Sequence, residues 1–187
     1  MSERTAFNDV LALERAHQSQ LRYSARRLFA PRNHQKGRAM TTTHVRPGEG
    51  RHYPMIDGDH IAKAAVHDTN GAFEVFETIA PAAPMSPPHI SPWTAVLFLL
   101  QGRITALVDG APYDVEPGGL VVFPAGTPAT FGVIGESARF VGITTGEGAG
   151  RFFADFASSV PTDRPVEESM DAILSVTSRH GVALAGA

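Results

Sequence analysis

The segment Pro87-Pro88-His89-Ile90-Ser91-Pro92-Trp93 concentrates side chains that could do chemistry in a short stretch. His89 has a side chain that suits a general acid or base near neutral pH, although it could equally be a hydrogen-bonded part of a wall. Ser91 lacks a recognisable His-and-acid arrangement, which favours a hydrogen-bonding role over a nucleophilic one. Trp93, the only tryptophan, either stacks on a flat ligand or covers an edge of the fold.

A second, more scattered group of possible metal ligands precedes this segment. Its spacing matches no known ligand frame, and charges on strand surfaces explain most of it. A relocated metal site that combines some of these side chains with His89 stays open as an alternative. The members are Asp57, Asp59, His60, His67, Glu74 and Glu77.

Composition excludes several classes of protein. The chain has no cysteine, so disulfides and thiolate metal sites are ruled out. Residues 1–40 carry eight Lys and Arg against three acidic residues, whereas residues 41–187 carry eight against sixteen. The acidic main body argues against a nucleic-acid partner. No apolar run reaches membrane-spanning length and no secretory leader is recognisable, so we expect a cytoplasmic protein without a membrane partner.

The elements that must position His89 are predicted to be short antiparallel strands. From residue 43 onward, apolar runs alternate with Gly, Pro, Asn and Asp, which is typical of a β-sandwich or barrel. Asp109-Gly110 predicts a tight hairpin turn, because this dipeptide tolerates positive φ angles. The predicted strands are Tyr53–Ile56, Ile61–His67, Phe73–Ile79, Ala95–Leu100, Arg103–Val108, Pro112–Val115, Leu120–Phe123, Ala129–Ile134 and Arg139–Thr144.

The predicted strand Ala95–Leu100 is apolar on both of its faces. One face should line the barrel, and the other should pack on a second sheet, a terminal segment or another subunit. We therefore expect a homodimer.

Helices are predicted on both sides of the strands. Residues 1–40 read as an extension, helical or disordered, in which residues 7–30 could form a basic amphipathic helix. A single domain is predicted over residues 41–187, with helices at Gly150–Val160 and from Asp163 to a cap at Gly181. Both C-terminal helices are expected to be scaffold, and His180 is expected to be a helix-end charge.

Two motifs resemble those of the cupin superfamily. Residues 87–102 have the spacing of the first cupin motif, with His89 and Gly102 in place. Residues 118–129, Gly-Gly-Leu-Val-Val-Phe-Pro-Ala-Gly-Thr-Pro-Ala, resemble the second motif and retain its Gly, Pro and Gly. Residues 42–186 are similar to small single-domain cupins labelled quercetin-dioxygenase-like. The resemblance implies an all-β, cupin-type jelly-roll barrel with C-terminal helices and an N-terminal helical extension.

The resemblance also implies where a metal would bind. The family's ligand positions fall on His89, Ser91, Ala95 and Ala129, so one strong ligand of four remains. A catalytic divalent metal usually needs about three protein ligands. We therefore expect no metal and no other cofactor at this position, and a drier, larger hollow suited to an apolar or aromatic ligand.

The expected ligand site combines His89 as the catalytic group with a substrate-binding wall. Strand alternation assigns to that wall Ser91, Trp93, Ala95, Leu97, Leu99, Thr127, Ala129 and Phe131. The predicted function is metal-independent isomerisation, cyclisation or rearrangement of a small apolar or aromatic metabolite, with His89 moving the proton. The high Arg, Ala, Gly and Pro content is typical of a gene rich in G and C and points towards specialised metabolism. The alternatives are a non-catalytic binding protein and a metal-dependent dioxygenase with an unusual ligand set.

Overall fold

A computed structural model describes residues 42–185, in which antiparallel strands predominate. The chain alternates strands with tight turns and places its helices after the last long strand. The strands are β1 (Arg51–Met55), β2 (Gly58–Ala64), β3 (Phe73–Pro81), β4 (His89–Ile90), β5 (Ala95–Val108), β6 (Ala111–Val115), β7 (Leu120–Phe123), β8 (Pro128–Thr145) and β9 (Ala183–Leu184). The helices are α1 (Gly148–Ser159) and α2 (Met170–Arg179), with 3-10 turns at Val66–Thr69 and Val166–Ser169.

The nine strands form one curled antiparallel sheet organised around β8. The second half of β8 lies between β3 and the first half of β5, whereas its first half pairs with β4 and the second half of β5. β5 in turn pairs with β6 and β7. This arrangement confirms the predicted all-β, cupin-type jelly roll with C-terminal helices. Residues 1–40, predicted as an N-terminal extension, lie outside the described residues, so that prediction and its boundary remain predictions.

The predicted turn at Asp109-Gly110 is confirmed. Asp109 has a φ of 49° and Gly110 a φ of 78°, and Val108 pairs with Ala111 across the hairpin. Both positive φ angles belong to the left-handed region that a tight two-residue turn requires.

In two places, a pair of strands that the sequence predicted as separate forms one continuous strand in the structure. The predicted strands at residues 95–100 and 103–108 are both parts of β5, and those at 129–134 and 139–144 are parts of β8. The register of β5 shifts on either side of Gln101 instead of ending there. Gly102, with a φ of 75°, allows this because a Cβ atom would collide with the Ser137 carbonyl oxygen of β8.

The predicted strand Ile61–His67 was placed three residues too late, since β2 begins at Gly58 and ends at Ala64. The chain leaves the sheet because the Asp68 carboxylate accepts a hydrogen bond from the Ala65 amide at 2.9 Å and closes a 3-10 turn. The two-residue strands β4 and β9, which were not predicted, pair with each other, so that His89 lies opposite Leu184.

The second C-terminal helix also begins later than predicted. Pro165 is extended, with φ −52° and ψ 140°, and a 3-10 turn precedes α2 at Met170. The helix ends before Gly181, whose φ of 67° matches the predicted left-handed cap. His180 lies at this helix end, where it was predicted, and its Nε2 lies 2.9 Å from Asp155 Oδ2 of α1.

Two apolar clusters hold the described domain together. One fills the barrel between β5 and β8 and contains Leu99, Ile104 and Phe140, which are each 1% exposed or less. The other joins α1 and α2 to the sheet edge through Trp93, Phe152 and Val176. None of the helices within residues 42–185 has the length and apolarity needed to cross a membrane.

Candidate ligand cavity

A cavity of about 110 Å³ lies between the curled sheet and α1. Most of its wall is apolar or aromatic, and its polar groups come from the β1–β2 turn, from β2 and β3, from the His89 segment and from β8 with the residue before it. Its lining consists of Asp57, His60, Phe76, Thr78, His89, Ser91, Trp93, Ala95, Leu97, Phe123, Pro124, Thr127, Ala129, Phe131, Phe140, Gly142, Thr144, Phe152 and Phe153. An apolar hollow with a few convergent polar groups is the usual form of a small-molecule site.

Eight of the nine sequence-predicted site residues line this cavity. They are His89, Ser91, Trp93, Ala95, Leu97, Thr127, Ala129 and Phe131. Leu99 is not part of the lining. Leu99 lies two residues after Leu97 on β5 and is 1% exposed. Side chains of the apolar cluster between β5 and β8 surround it and leave no hollow there.

The backbone of β4 places His89 in the cavity wall. His89 pairs with Ala129 of β8 on one side and with Leu184 of β9 on the other. Burial lowers the pKa of the His89 imidazole, and the nearby Asp57 carboxylate and the Pro87 backbone only partly offset this effect. His89 therefore faces the cavity as a neutral imidazole near neutral pH, with a nitrogen lone pair that can accept a proton.

A hydrogen-bonded chain of three side chains forms the other polar part of the lining. His60 Nε2 lies 3.1 Å from Asp57 Oδ1, and His60 Nδ1 lies 3.1 Å from Thr78 Oγ1. The His60 ring also stacks on Phe153 of α1, with 4.4 Å between ring centroids. Both ring nitrogens are therefore engaged and the ring is clamped, so His60 holds Asp57 in place rather than binding a ligand itself.

Asp57 is the ionised group of the cavity. Burial by itself raises the pKa of the Asp57 carboxyl, but the charge and hydrogen bond of His60 outweigh burial and lower this pKa below its usual value. The Asp57 side chain remains 39% accessible and lines the cavity. Its carboxylate can therefore meet a bound molecule.

The structure separates the scattered ligands that sequence reasoning left as a possible metal site. Only Asp57 and His60 of that group line the cavity with His89. Asp59 bonds His52 at 2.6 Å, Glu77 pairs with Lys63 at 3.0 Å and with Arg139, and Glu74 accepts the Gly150 amide at 2.9 Å. The His67 side chain is 82% exposed.

The donor set does not fit a metal at the cupin ligand position. At the four positions that the resemblance assigns to ligands, Ala95 and Ala129 carry only methyl groups, beside His89 and the weakly coordinating hydroxyl of Ser91, and all four residues line the cavity. Across residues 42–185, no group of three or more His, Cys, Asp or Glu side chains is arranged to hold a metal ion. A divalent metal site usually takes about three such ligands, so we derive no step through a metal.

Sequence reasoning missed two contributions to the cavity. Phe152 and Phe153 of α1 form part of its wall, so this helix is more than the scaffold that was predicted. The Asp57–His60–Thr78 chain was missed as a unit because its members lie on a turn and two strands. Their pairing depends on the register that sets His60 opposite Thr78, which the sequence pattern does not specify.

A second hollow, of about 230 Å³, lies on the other side of Phe76 between β1, β2 and α1. It is larger, but its charged side chains are already paired with protein. Arg151 bonds Glu147 at 2.9 Å, and the buried Glu74 carboxylate accepts the Gly150 amide. Burial raises the pKa of Glu74, and the helix amide only partly offsets this. The smaller cavity, with polar groups free to meet a ligand, is therefore the candidate site.

Comparison with known proteins agrees with this architecture. Residues 75–144 match the family model described as a cupin domain. No curated protein gives a significant match to the sequence.

Solved structures with this fold include three from bacteria. The polyketide cyclase RemF from Streptomyces resistomycificus is 19% identical, with a TM-score of 0.50 over 56% of this chain and 80% of that chain. KdgF from Halomonas sp. is 12% identical, with a TM-score of 0.51 over 57% of this chain and 96% of that chain. A variant of Bacillus subtilis oxalate decarboxylase is 14% identical, with a TM-score of 0.51 over 62% of this chain and 32% of that chain. At such identities the likeness shows the fold alone, and together with the cupin-domain match over residues 75–144 it supports a cupin-type jelly-roll fold for the barrel.

Proposed function

We propose that the protein is a metal-independent cupin that binds a small apolar or aromatic metabolite and catalyses its isomerisation, cyclisation or rearrangement. The observation that carries this proposal is the composition of the cavity wall. Methyl groups of Ala95 and Ala129 stand where the family places ligands, while His89 remains in a wall that is mostly apolar and aromatic. Cyclisation is included because the cyclase RemF shares the fold.

His89 is proposed as the group that moves a proton. A neutral imidazole can remove a proton from a bound molecule and return it at a second atom, so that the product is an isomer of the substrate. The aromatic wall would hold the substrate in a reactive shape, which lowers the barrier without further ionisable groups. The hydroxyls of Ser91 and Thr127, which are part of the polar lining, are proposed to orient the substrate through hydrogen bonds.

Elemental analysis tests the metal-independent part of the proposal. We expect less than about one tenth of an equivalent of iron, nickel, manganese, copper or zinc in protein purified without chelator. About one equivalent of such a metal, retained through dialysis and lost in the His89→Ala variant, would instead support the dioxygenase alternative with an unusual ligand set.

A deuterium experiment tests proton transfer and can be done before the substrate is identified. Small molecules extracted from the source organism are incubated with the protein in D₂O and analysed by mass spectrometry. We expect at least one compound to change retention time and to gain one deuteron, because a proton moved by His89 exchanges with solvent. The His89→Ala variant should still bind this compound but should not convert it.

The outcomes separate the two metal-free functions. A compound that co-purifies or binds but is never converted would favour the alternative of a non-catalytic carrier or sensor. Conversion by His89→Ala at the unaltered rate would remove His89 from the mechanism. His67→Gln is the matched control, because the side chain of His67 is 82% exposed and lies outside the cavity.

A further inference from the structure

The charges of the cavity wall restrict the ligands that it can hold. Its titratable groups are Asp57, His60 and His89, and no Lys or Arg belongs to the described lining. The Asp57 carboxylate is negative and is paired with His60, so this pair contributes no net positive charge to the wall. Because His89 is neutral near pH 7, the wall carries no net positive charge with which to pair an anion.

The free polar atoms of the wall are mostly acceptors. One Asp57 oxygen is bonded to His60, which leaves the second oxygen able to accept a hydrogen bond. The neutral His89 ring has one nitrogen lone pair. The hydroxyls of Ser91, Thr127 and Thr144 can act as donors or acceptors, and Thr144 Oγ1 is buried with no hydrogen-bond partner among the described residues. A ligand with O–H or N–H groups would donate hydrogen bonds to these acceptors. A carboxylate or phosphate would lose its hydration in the cavity and find no cationic side chain there to compensate.

The size and walls of the cavity limit the ligand to about one ring. The volume of about 110 Å³ is somewhat below that of a cavity of about 150 Å³ known to hold benzene in another protein. Aromatic side chains surround the space on several sides, from Trp93 and Phe131 to Phe152 and Phe153. Edge and face contacts with these rings favour a flat aromatic group.

We propose that the cavity binds a one-ring aromatic molecule that carries a cationic or neutral hydrogen-bond donor, with the Asp57 carboxylate as the anchor for that donor, and that it rejects aromatic anions. His60 is a positioning residue, because it holds Asp57 and has no ring nitrogen free for the ligand. This inference rests on the proposed function to the extent that the cavity must be a ligand site.

Three fluorinated probes of similar size test the inference on the full-length protein. They are 4-fluorobenzylamine, which is cationic at pH 7.5, 4-fluorophenol, which is neutral and donates one hydrogen bond, and 4-fluorobenzoate, which is anionic. Fluorine NMR titration gives a Kd for each. We expect the amine to bind tightest, the phenol next, and the benzoate at least about tenfold more weakly than the amine.

Asp57→Asn removes the charge of the anchor with little change in shape. We expect this variant to weaken the amine about tenfold, to affect the phenol less and to leave the benzoate unchanged or slightly tighter. Asp59→Asn is the matched control, because Asp59 lies two residues away, bonds His52 and is not part of the lining. It should leave all three Kd values unchanged.

A third variant places the binding in the cavity. Ala129→Leu adds bulk at a lining residue that is 4% exposed and should abolish binding of every probe, whereas Ala83→Leu, in an exposed loop, should not.

Benzoate that binds as tightly as the amine, or equal Kd values in Asp57→Asn and Asp59→Asn, overturns the charge selection while leaving the cavity as a ligand site. Failure of all three probes to bind overturns this inference, whereas the proposed function is decided separately by the experiment with extracted metabolites. If Asp57→Asn does not fold, the order of the three Kd values in the unaltered protein decides.

Discussion

His89 and Asp57 occupy the same cavity but enter it for different reasons. His89 lies in the two-residue strand β4, whose pairing with β8 and β9 holds it in the wall. Asp57 lies in the turn that joins β1 to β2, and His60 holds it at 3.1 Å. Burial disfavours the charged form of both groups, and only Asp57 has a partner that reverses the effect on its pKa.

The lowered pKa of His89 predicts a pH dependence of stability. Because the folded-state pKa lies below the ordinary value of 6.5, the folded protein binds a proton at His89 less readily than the unfolded chain. The contribution of the neutral ring is present above pH 6.5 and is lost as the pH falls through the folded-state pKa. The His89→Gln variant should therefore lose less of its free energy of unfolding than the unaltered protein between about pH 7.5 and 5.

Denaturant unfolding at several pH values, with the imidazole titration followed by NMR, measures this effect. His67→Gln, which changes an exposed histidine, serves as the control and should follow the unaltered protein. A His89 resonance that titrates at or above pH 6.5 would contradict the prediction.

At the level of elements, α1 completes the cavity by approaching the sheet closely. Its first residues, Gly148 and Gly150, face Trp93 and Glu74. Added Cβ atoms would lie 2.8 Å from the Trp93 ring at Gly148 and in collision with the Glu74 carboxylate at Gly150. The two glycines therefore allow the helix to dock, and docking brings Phe152 and Phe153 into the cavity wall.

Gly148→Ala should therefore destabilise the fold and loosen the cavity. A methyl group packed against the six-membered ring of Trp93 should lower the free energy of unfolding by about 1–3 kcal/mol, as overpacking usually does. The free energy from urea unfolding, together with the emission of the single tryptophan, reports the change.

Gly142→Ala is the matched control for this prediction. A Cβ atom there would meet Leu97 at 3.8 Å, which is ordinary van der Waals contact. If Gly148→Ala is no less stable than Gly142→Ala, α1 does not depend on close docking against Trp93.

At the scale of the whole molecule, the outer face of the sheet carries a group of exposed apolar side chains. We call it the outer apolar face, formed by Val96, Phe98, Leu100, Leu120, Val122 and Ile143. Phe98 pairs with Leu120, and Val96 pairs with both Val122 and Ile143, so the patch is continuous across three strands. Leu120 is 58% exposed and Val122 is 42% exposed. A continuous apolar patch of this kind is typical of an interaction surface.

We expect this face to be buried in a homodimer. Leu120→Glu should then shift the mass in solution from about twice 19.9 kDa to that of the monomer, because an unpaired charge is costly in an apolar interface. Size-exclusion chromatography with light scattering measures the mass. Leu174→Glu on α2, where the leucine is 46% exposed, is the control and should remain dimeric. An unaltered protein that is monomeric at tens of micromolar would contradict the prediction.

The sequence by itself determined the barrel and much of its lining. Alternation and turn chemistry are local properties, so they predicted most strands and the Asp109-Gly110 hairpin, and the motif spacing placed Ala95 and Ala129 beside His89. Strand alternation wrongly placed Leu99 in the cavity wall, because the packing of side chains from distant parts of the chain decides where the cavity ends.

Only the tertiary structure decided what faces His89 across the hollow. The Asp57–His60–Thr78 chain depends on the β2–β3 register, and the Phe152 and Phe153 wall depends on how α1 docks. Both are contacts between residues far apart in the chain, and many sequences of the same local pattern are compatible with other registers and docking angles. The apolar character of the site was therefore visible in the sequence, whereas the position of the Asp57 carboxylate in its wall was decided by packing.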